Sequence, residues 1–134
     1  MNDLQALGRA VKQVQWRHHR TLDTRLAAIG SSLAQWDALR AISNHPGASA
    51  HELAGATFQS DQSFATLARR LLAQGVIERS PGQGRRIEHR LTPEGERVLA
   101  AGAVLVEEVH AASFAPLSRR ERKTLLELLT RVVG

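Results

Sequence analysis

The chain has 134 residues, no cysteine and a single methionine, Met1, which excludes disulfides, thiolate metal sites, thiol-based redox sensing and a methionine-oxidation switch. That is one domain, residues 1–134, long enough to bury a core without staples. Its net charge of +5 suits a polyanionic partner, and with no apolar run near the roughly 20 residues a bilayer requires and no signal-peptide core, a cytoplasmic protein without membrane contact is expected.

From the N-terminus, Leu4, Leu7, Val11, Val14, His18, Leu22, Leu26 and Ile29 recur at spacings of three and four. The pattern predicts one helix of roughly 25 residues, ~38 Å long, more than a small domain needs. Gly30-Ser31-Ser32 breaks it. Ser32-Leu33-Ala34-Gln35 has capping-box form and opens a helix to about Asn44, stopped by His45-Pro46-Gly47. Ser49 and Glu52 form another capping box ahead of a short helix.

After Phe58 and Gln59, Ser60 caps a further helix to about Gln74, ended by Gly75. Steps of about 100° put Phe64, Leu67, Ala68 and Leu71 on one face and Gln62, Thr66, Arg69 and Ala73 on the other. The outer face is polar, slightly built and basic, a composition an ordinary solvated helix also shows. The next segment argues for more: residues 76–79 and 86–91 read as strands flanking Ser80-Pro81-Gly82-Gln83-Gly84. This hairpin carries Arg79, Arg85, Arg86 and Arg90 against Glu78 and Glu88. Helix, turn, helix and basic hairpin make a winged helix-turn-helix over residues 32–91.

Thr92-Pro93-Glu94 supplies an N-cap, an N1 proline and an early acid for a helix with Val98, Leu105 and Val109 along one side. Pro116 ends the connection. Ser118 to Glu121 is a capping box for a last helix whose Leu125, Leu126, Leu128, Leu129, Val132 and Val133 are apolar over more than one face. The segments 1–30 and 92–134 thus present apolar helices without an intramolecular partner, and a homodimer of interlocked terminal helices is the simplest resolution. The fold class is mainly α with a small β-hairpin.

Residues 33–39, His51-Glu52-Leu53-Ala54, the run from Leu67-Ala68-Arg69-Arg70 through Gly75-Val76-Ile77-Glu78-Arg79, and Leu91-Thr92-Pro93-Glu94-Gly95 resemble the MarR (multiple antibiotic resistance regulator) family in order and spacing. The resemblance spans nearly the whole chain. It implies a two-fold dimer whose recognition helices enter successive major grooves of a pseudo-palindromic double-stranded DNA operator while the wings reach flanking minor grooves. It also implies a sequence-specific transcriptional regulator, a repressor released by a small aromatic ligand. The wing departs from the family in two ways: the family Asp-x-Arg is here Gln83 and Arg85, and only five residues separate Arg79 from Arg85. Without that carboxylate, Arg85 is either more mobile or held by a weaker neutral hydrogen bond from Gln83.

On this reading Arg85 and Arg86 address the minor groove or its phosphates, and Gln62, Ser63 and Thr66 address base edges. Arg69 takes a phosphate or a guanine. Arg70, on the flank, takes DNA or an intramolecular salt bridge. Ser49 and His51 can reach the DNA backbone, although capping already accounts for Ser49. For an anionic aromatic ligand, Trp16, His18, His19 and Arg20 on the first helix and Trp36 and Arg40 on the second can line the family's cleft, while the helical spacing of Trp36 fits a core residue better.

Nothing points to an enzyme or a cofactor: there is no His-Glu-x-x-His, no Gly-rich phosphate loop and no cysteine nucleophile. His18 and His19 with His110, Glu107 or Glu108 make a poor metal site, because adjacent helical residues point about 100° apart. The competing reading is a winged-helix protein-interaction module that does not bind DNA.

Overall fold

The computed structural model describes residues 2–134, in the order α1 (Asp3–Ala27), α2 (Leu33–Asn44), α3 (Ala50–Ala56), α4 (Asp61–Ala73), β1 (Ile77–Pro81), β2 (Ile87–Leu91), α5 (Pro93–Phe114) and α6 (Arg119–Val133). Side-chain caps start every helix. Asn2, Ser49 and Ser118 form reciprocal capping boxes with Gln5, Glu52 and Glu121, and Ser32, Ser60 and Thr92 accept from the amides of Gln35, Ser63 and Gly95. Each such cap is worth about 1 kcal/mol. At Ser32 the expected capping box is one-sided. The first amide of α2, that of Leu33, instead donates to Asp23 Oδ1 at 2.7 Å, so α1 supplies the acceptor that fixes where α2 begins.

Phe64, Leu67, Ala68 and Leu71 of α4 are buried as the 100° steps require, against Leu39 and Ile42 of α2, Leu53 of α3 and Ile77 of β1. This cluster is the core of the winged unit. Leu22 and Leu26 of α1, Trp36 of α2 and Val109 of α5 form a second cluster where the unit meets the terminal helices. Trp36 is 8% exposed and its indole N–H donates to the Leu99 carbonyl at 3.1 Å. Gly102 lies flat against the indole; a Cβ there would collide with it.

The hairpin is longer on its first strand than the sequence suggested. β1 pairs antiparallel with β2 from Ile77↔Leu91 to Pro81↔Ile87, so Ser80 and Pro81 belong to the ladder and not to the turn. A proline is tolerated there because both strands are sheet edges. The turn is residues 82–86, closed by Gly82 N–H to the Arg86 carbonyl at 2.8 Å and Arg86 N–H to the Gln83 carbonyl at 3.2 Å.

The Leu-Thr-x-x-Gly sequence at the start of α5 has a steric reason. The Thr92 amide donates to the Val76 carbonyl at 3.1 Å and its hydroxyl donates to the Gly75 carbonyl at 2.6 Å. Buried Gly95 then passes so close that a Cβ would collide with that same Val76 oxygen.

The first half of α1 and the whole of α6 lack intramolecular cover. Leu4, Leu7, Val11 and Val14 of α1 are 47–75% exposed. α6 has no buried residue and leaves α5 at 103°. Among the described residues no single helix is long and apolar enough to cross a membrane.

Candidate nucleic-acid interface

Because the buried face of α4 is fixed by the core, its opposite face is fixed too: Gln62, Ser63, Thr66, Arg69 and Arg70 are directed away from it, and all five are exposed. The hydroxyls are ordered before any ligand arrives. Ser60 Oγ donates to Ser63 Oγ at 3.0 Å, Thr66 Oγ1 donates to the Gln62 carbonyl at 3.1 Å, and Arg69 Nη2 donates to Thr66 Oγ1 at 3.3 Å. Thr66 and Arg69 therefore present one joined acceptor and donor surface. Arg70, which the sequence left between DNA and a salt bridge, has no ion-pair partner among the described residues.

At the start of α3, Ser49 is committed to its capping box with Glu52, accepting from the Glu52 amide at 3.1 Å and donating its own amide to Glu52 Oε1 at 3.0 Å. His51 Nδ1 lies 2.9 and 3.1 Å from the two carboxylate oxygens of Asp61, the first residue of α4. Asp61 was not singled out from the sequence; an acid in a helix's first turn reads there only as a dipole partner. Its pairing orients the His51 ring and leaves Nε2 for another contact.

The two wing arginines separate. Arg85 is exposed and has no hydrogen-bond or ion-pair partner among the described residues, and the same holds for the Gln83 side chain. Arg86, assigned with it to the minor groove, is already engaged: Nη1 donates to the Gly47 carbonyl and Nη2 to Glu52 Oε1, each at 3.0 Å. Neither Gly47 nor Glu52 was expected to meet the wing, because they lie 39 and 34 residues from Arg86. The Glu52 carboxylate is held below its ordinary pKa first by the Ser49 amide, then by the Ser49 hydroxyl and Arg86.

Between α4 and the hairpin is a largely apolar cavity of about 240 Å³ lined by Phe64, Ala65, Ala68, Arg69, Arg79 and His89, among others. His89 is buried, edge-on to Phe64 with ring centroids 6.1 Å apart, and its Nδ1 has no partner. Burial, then the Arg79 charge, pushes its pKa below the usual 6.5. A folded-state pKa below the unfolded value means that unfolding takes up a proton between the two. His89 therefore stabilises the winged unit above about pH 6.5, and that contribution declines as pH falls and is gone below the folded-state value. Urea midpoints measured from pH 7.5 down to 5.5 should fall, and His89→Leu should make the decline shallower; an unchanged slope in the variant would show that His89 is not its source.

The six residues expected to line a ligand cleft do not converge. Trp16 and Arg20 stack, with the guanidinium 4.9 Å from the ring centroid, on an open cleft of about 350 Å³ shared with Arg17, Thr21, Thr24 and Arg25. His18 lines an adjoining cleft of about 510 Å³ between α1 and α5, which shares Arg17, Thr21 and Arg25 with the first; there Nε2 is 2.6 Å from Ser113 Oγ and the ring packs against His110 and Phe114. Burial, then His110 and Arg17, lowers its pKa. His19 instead pairs with Asp23 at 3.2 Å and Arg40 with Asp37 at 2.9 Å. Trp36, as its spacing suggested, is a core residue and lines neither cleft. No group of three or more metal-ligating side chains comes together among the described residues.

The MarR family model matches residues 29–86. Over 109 residues the chain is 31% identical to the HTH-type transcriptional repressor Rv2887 of Mycobacterium tuberculosis (strain ATCC 25618 / H37Rv), covering 78% of each protein. Among solved structures, a mutant of MarR from Escherichia coli complexed with operator DNA is similar at TM-score 0.90 and 24% identity, covering 99% of this chain and 97% of that one. Rv2887 in complex with salicylic acid is similar at TM-score 0.76 and 24% identity, covering 94% and 95%.

Proposed function

The chain belongs to the MarR family of transcriptional regulators, and from that premise we propose that it is a cytoplasmic, sequence-specific DNA-binding repressor that acts as a homodimer and is released by a small anionic aromatic ligand. The observation that carries the reading is the outward face of α4, where Gln62, Ser63, Thr66 and Arg69 stand opposite a face locked into the core. Amide, hydroxyl and guanidinium groups on a helix presented this way match the donor and acceptor pattern of the major groove. Unengaged Arg85 on the hairpin supplies a cation of the kind that enters narrow minor grooves. His51 and Arg70 flank that face and are assigned to phosphates, as is the Ser49 hydroxyl, whose proton the capping box does not use because its oxygen only accepts there. A protein-interaction module would need none of this charge, and no catalytic role is proposed.

The ligand is assigned to the α1 face that carries Trp16, Arg17 and Arg20, with an aromatic wall and cations beside the α1–α5 cleft. That Rv2887 has been solved with salicylic acid supports the chemical class. Ligand binding would release DNA by altering the separation of the two recognition helices, which must match half-sites about 34–36 Å apart. A compound with equal affinity for both arrangements would shift nothing.

The test begins by selecting bound duplexes from a random DNA library. Against the selected operator, Arg85→Ala should weaken binding to all sequences and reduce the salt slope by about one for each phosphate that the arginine neutralises. Thr66→Ala or Gln62→Ala should instead relax preference at particular base pairs, costing about 1–3 kcal/mol for each well-formed hydrogen-bonded pair. Uniform weakening by every variant would overturn the assignment of the α4 face.

A further inference from the structure

We propose that Arg86 is not a DNA contact but a strut, which with Glu52 and the Gly47 carbonyl braces the wing against the start of α3 and thereby presents Arg85 to the minor groove. The proposal rests on the DNA-binding reading above and deepens it.

The backbone of Arg86 closes the wing turn, accepting from Gly82 N–H and donating to the Gln83 carbonyl. Its side chain leaves the wing altogether. One guanidinium nitrogen reaches the Gly47 carbonyl and another reaches Glu52 Oε1, both at 3.0 Å. Two bonds to different groups fix the plane of a rigid guanidinium, where a single bond to an ammonium would leave it free to swing. Arg85 is the preceding residue, so pinning Arg86 sets the direction in which Arg85 leaves the backbone.

The acceptor is itself held in place. The Glu52 oxygen that receives Arg86 is the one that accepts the Ser49 amide at 3.0 Å, so the capping box has ordered the carboxylate before the wing engages it. Little further side-chain entropy is lost in forming the strut. Gln83 stands where a wing carboxylate would be expected and has no side-chain partner among the described residues. A carboxylate contributed by α3 thus does the orienting that the wing's own sequence lacks. A negative charge beside a surface meant for phosphates opposes binding unless it organises the cations around it.

That conflict gives the test its sign. Glu52→Gln keeps an acceptor for the Ser49 amide and so preserves the capping box, while it removes one negative charge. Charge alone predicts tighter DNA binding. The strut predicts weaker binding to the selected operator, by about two- to five-fold, and the same weakening for Arg86→Gln with no change in salt slope. The double variant should be no weaker than the worse single, and Arg85→Ala should cost less in either background than in the wild type. In the free protein, hydrogen exchange at the amides of Gly82 and Arg86 should accelerate in both single variants. Tighter binding by Glu52→Gln, or a salt slope reduced by about one in Arg86→Gln with unchanged exchange, would overturn the strut and return Arg86 to the phosphates. If the wild type bound no selected duplex, the DNA reading would fall, while the exchange measurement would still decide whether the strut holds the wing.

Discussion

Deleting residues 118–134 is expected to abolish soluble folded protein, and deleting residues 1–14 should do the same. The first cut removes α6, which has no fully buried residue and only Leu125 half-buried, so within a monomer it would be nearly free of consequence. The effect comes from what α6 leaves open. Leu126, Leu128, Leu129, Val132 and Val133, with Leu4, Leu7, Val11 and Val14 of α1, are exposed large apolar side chains concentrated on the two terminal helices. Phe114, Leu125, Leu126 and Leu129 also line a small apolar groove with Arg122. Burying a Leu or Val fully contributes about 1.5–3 kcal/mol, and the set is large enough to offset an association cost of about 4–15 kcal/mol. A second copy of the same helices is the occupant a closed two-fold assembly requires. Sedimentation of the intact chain should give twice the chain mass at micromolar concentration. A well-folded monomer there, or a soluble truncated monomer with native ellipticity, would defeat the dimer.

Gly95→Ala should be the most damaging single-methyl change where the start of α5 meets the winged unit. The atom it strikes is the Val76 carbonyl oxygen, and that oxygen is tied to the Thr92 amide at 3.1 Å, so no side chain can rotate aside. Either the helix start retreats from β1 or the Thr92 bond breaks. Overpacking of this kind costs about 1–3 kcal/mol, and a backbone collision belongs at the upper end. Gly55→Ala is the control: Gly55 lies within α3, away from the terminal helices, and a Cβ there meets nothing within 4 Å, so the helix should gain roughly 0.5–1 kcal/mol. Urea midpoints of the two variants should move in opposite directions. A neutral Gly95→Ala would mean that the close approach of α5 to β1 does not constrain the fold.

What the sequence made legible was local. Ser49, Ser60, Thr92 and Ser118 could be read as caps because a cap and its partner lie three residues apart, and the α4 core face followed from the helical period alone. Pairings between distant segments had no such signal. Nothing near Arg86 announces Glu52, nothing near Ser32 announces Asp23, and the fit of Gly102 to Trp36 joins residues on different helices. Phe58 is the sharpest case. It sits in the turn between α3 and α4 at φ +58° and is 94% exposed, a backbone state that glycine or asparagine would have signalled and phenylalanine does not. On the candidate site, the outward face of α4 was readable, whereas the division of Arg85 from Arg86 depended on tertiary geometry.

The seat of Trp36 on α5 also sets the gearing of the molecule. The indole is bonded to Leu99 and pressed on Gly102, so the winged unit is clamped to the first half of a 22-residue helix and the two must turn together. Such a helix is a lever arm of about 33 Å. A tilt of about 5° at one end carries the other through about 3 Å, close to one base-pair step of about 3.4 Å. On the function proposed above, a ligand wedged beside α1 would need only a small displacement at its own seat to shift the register of two recognition helices, because the contact of Trp36 with α5 would pass that motion on to the winged unit.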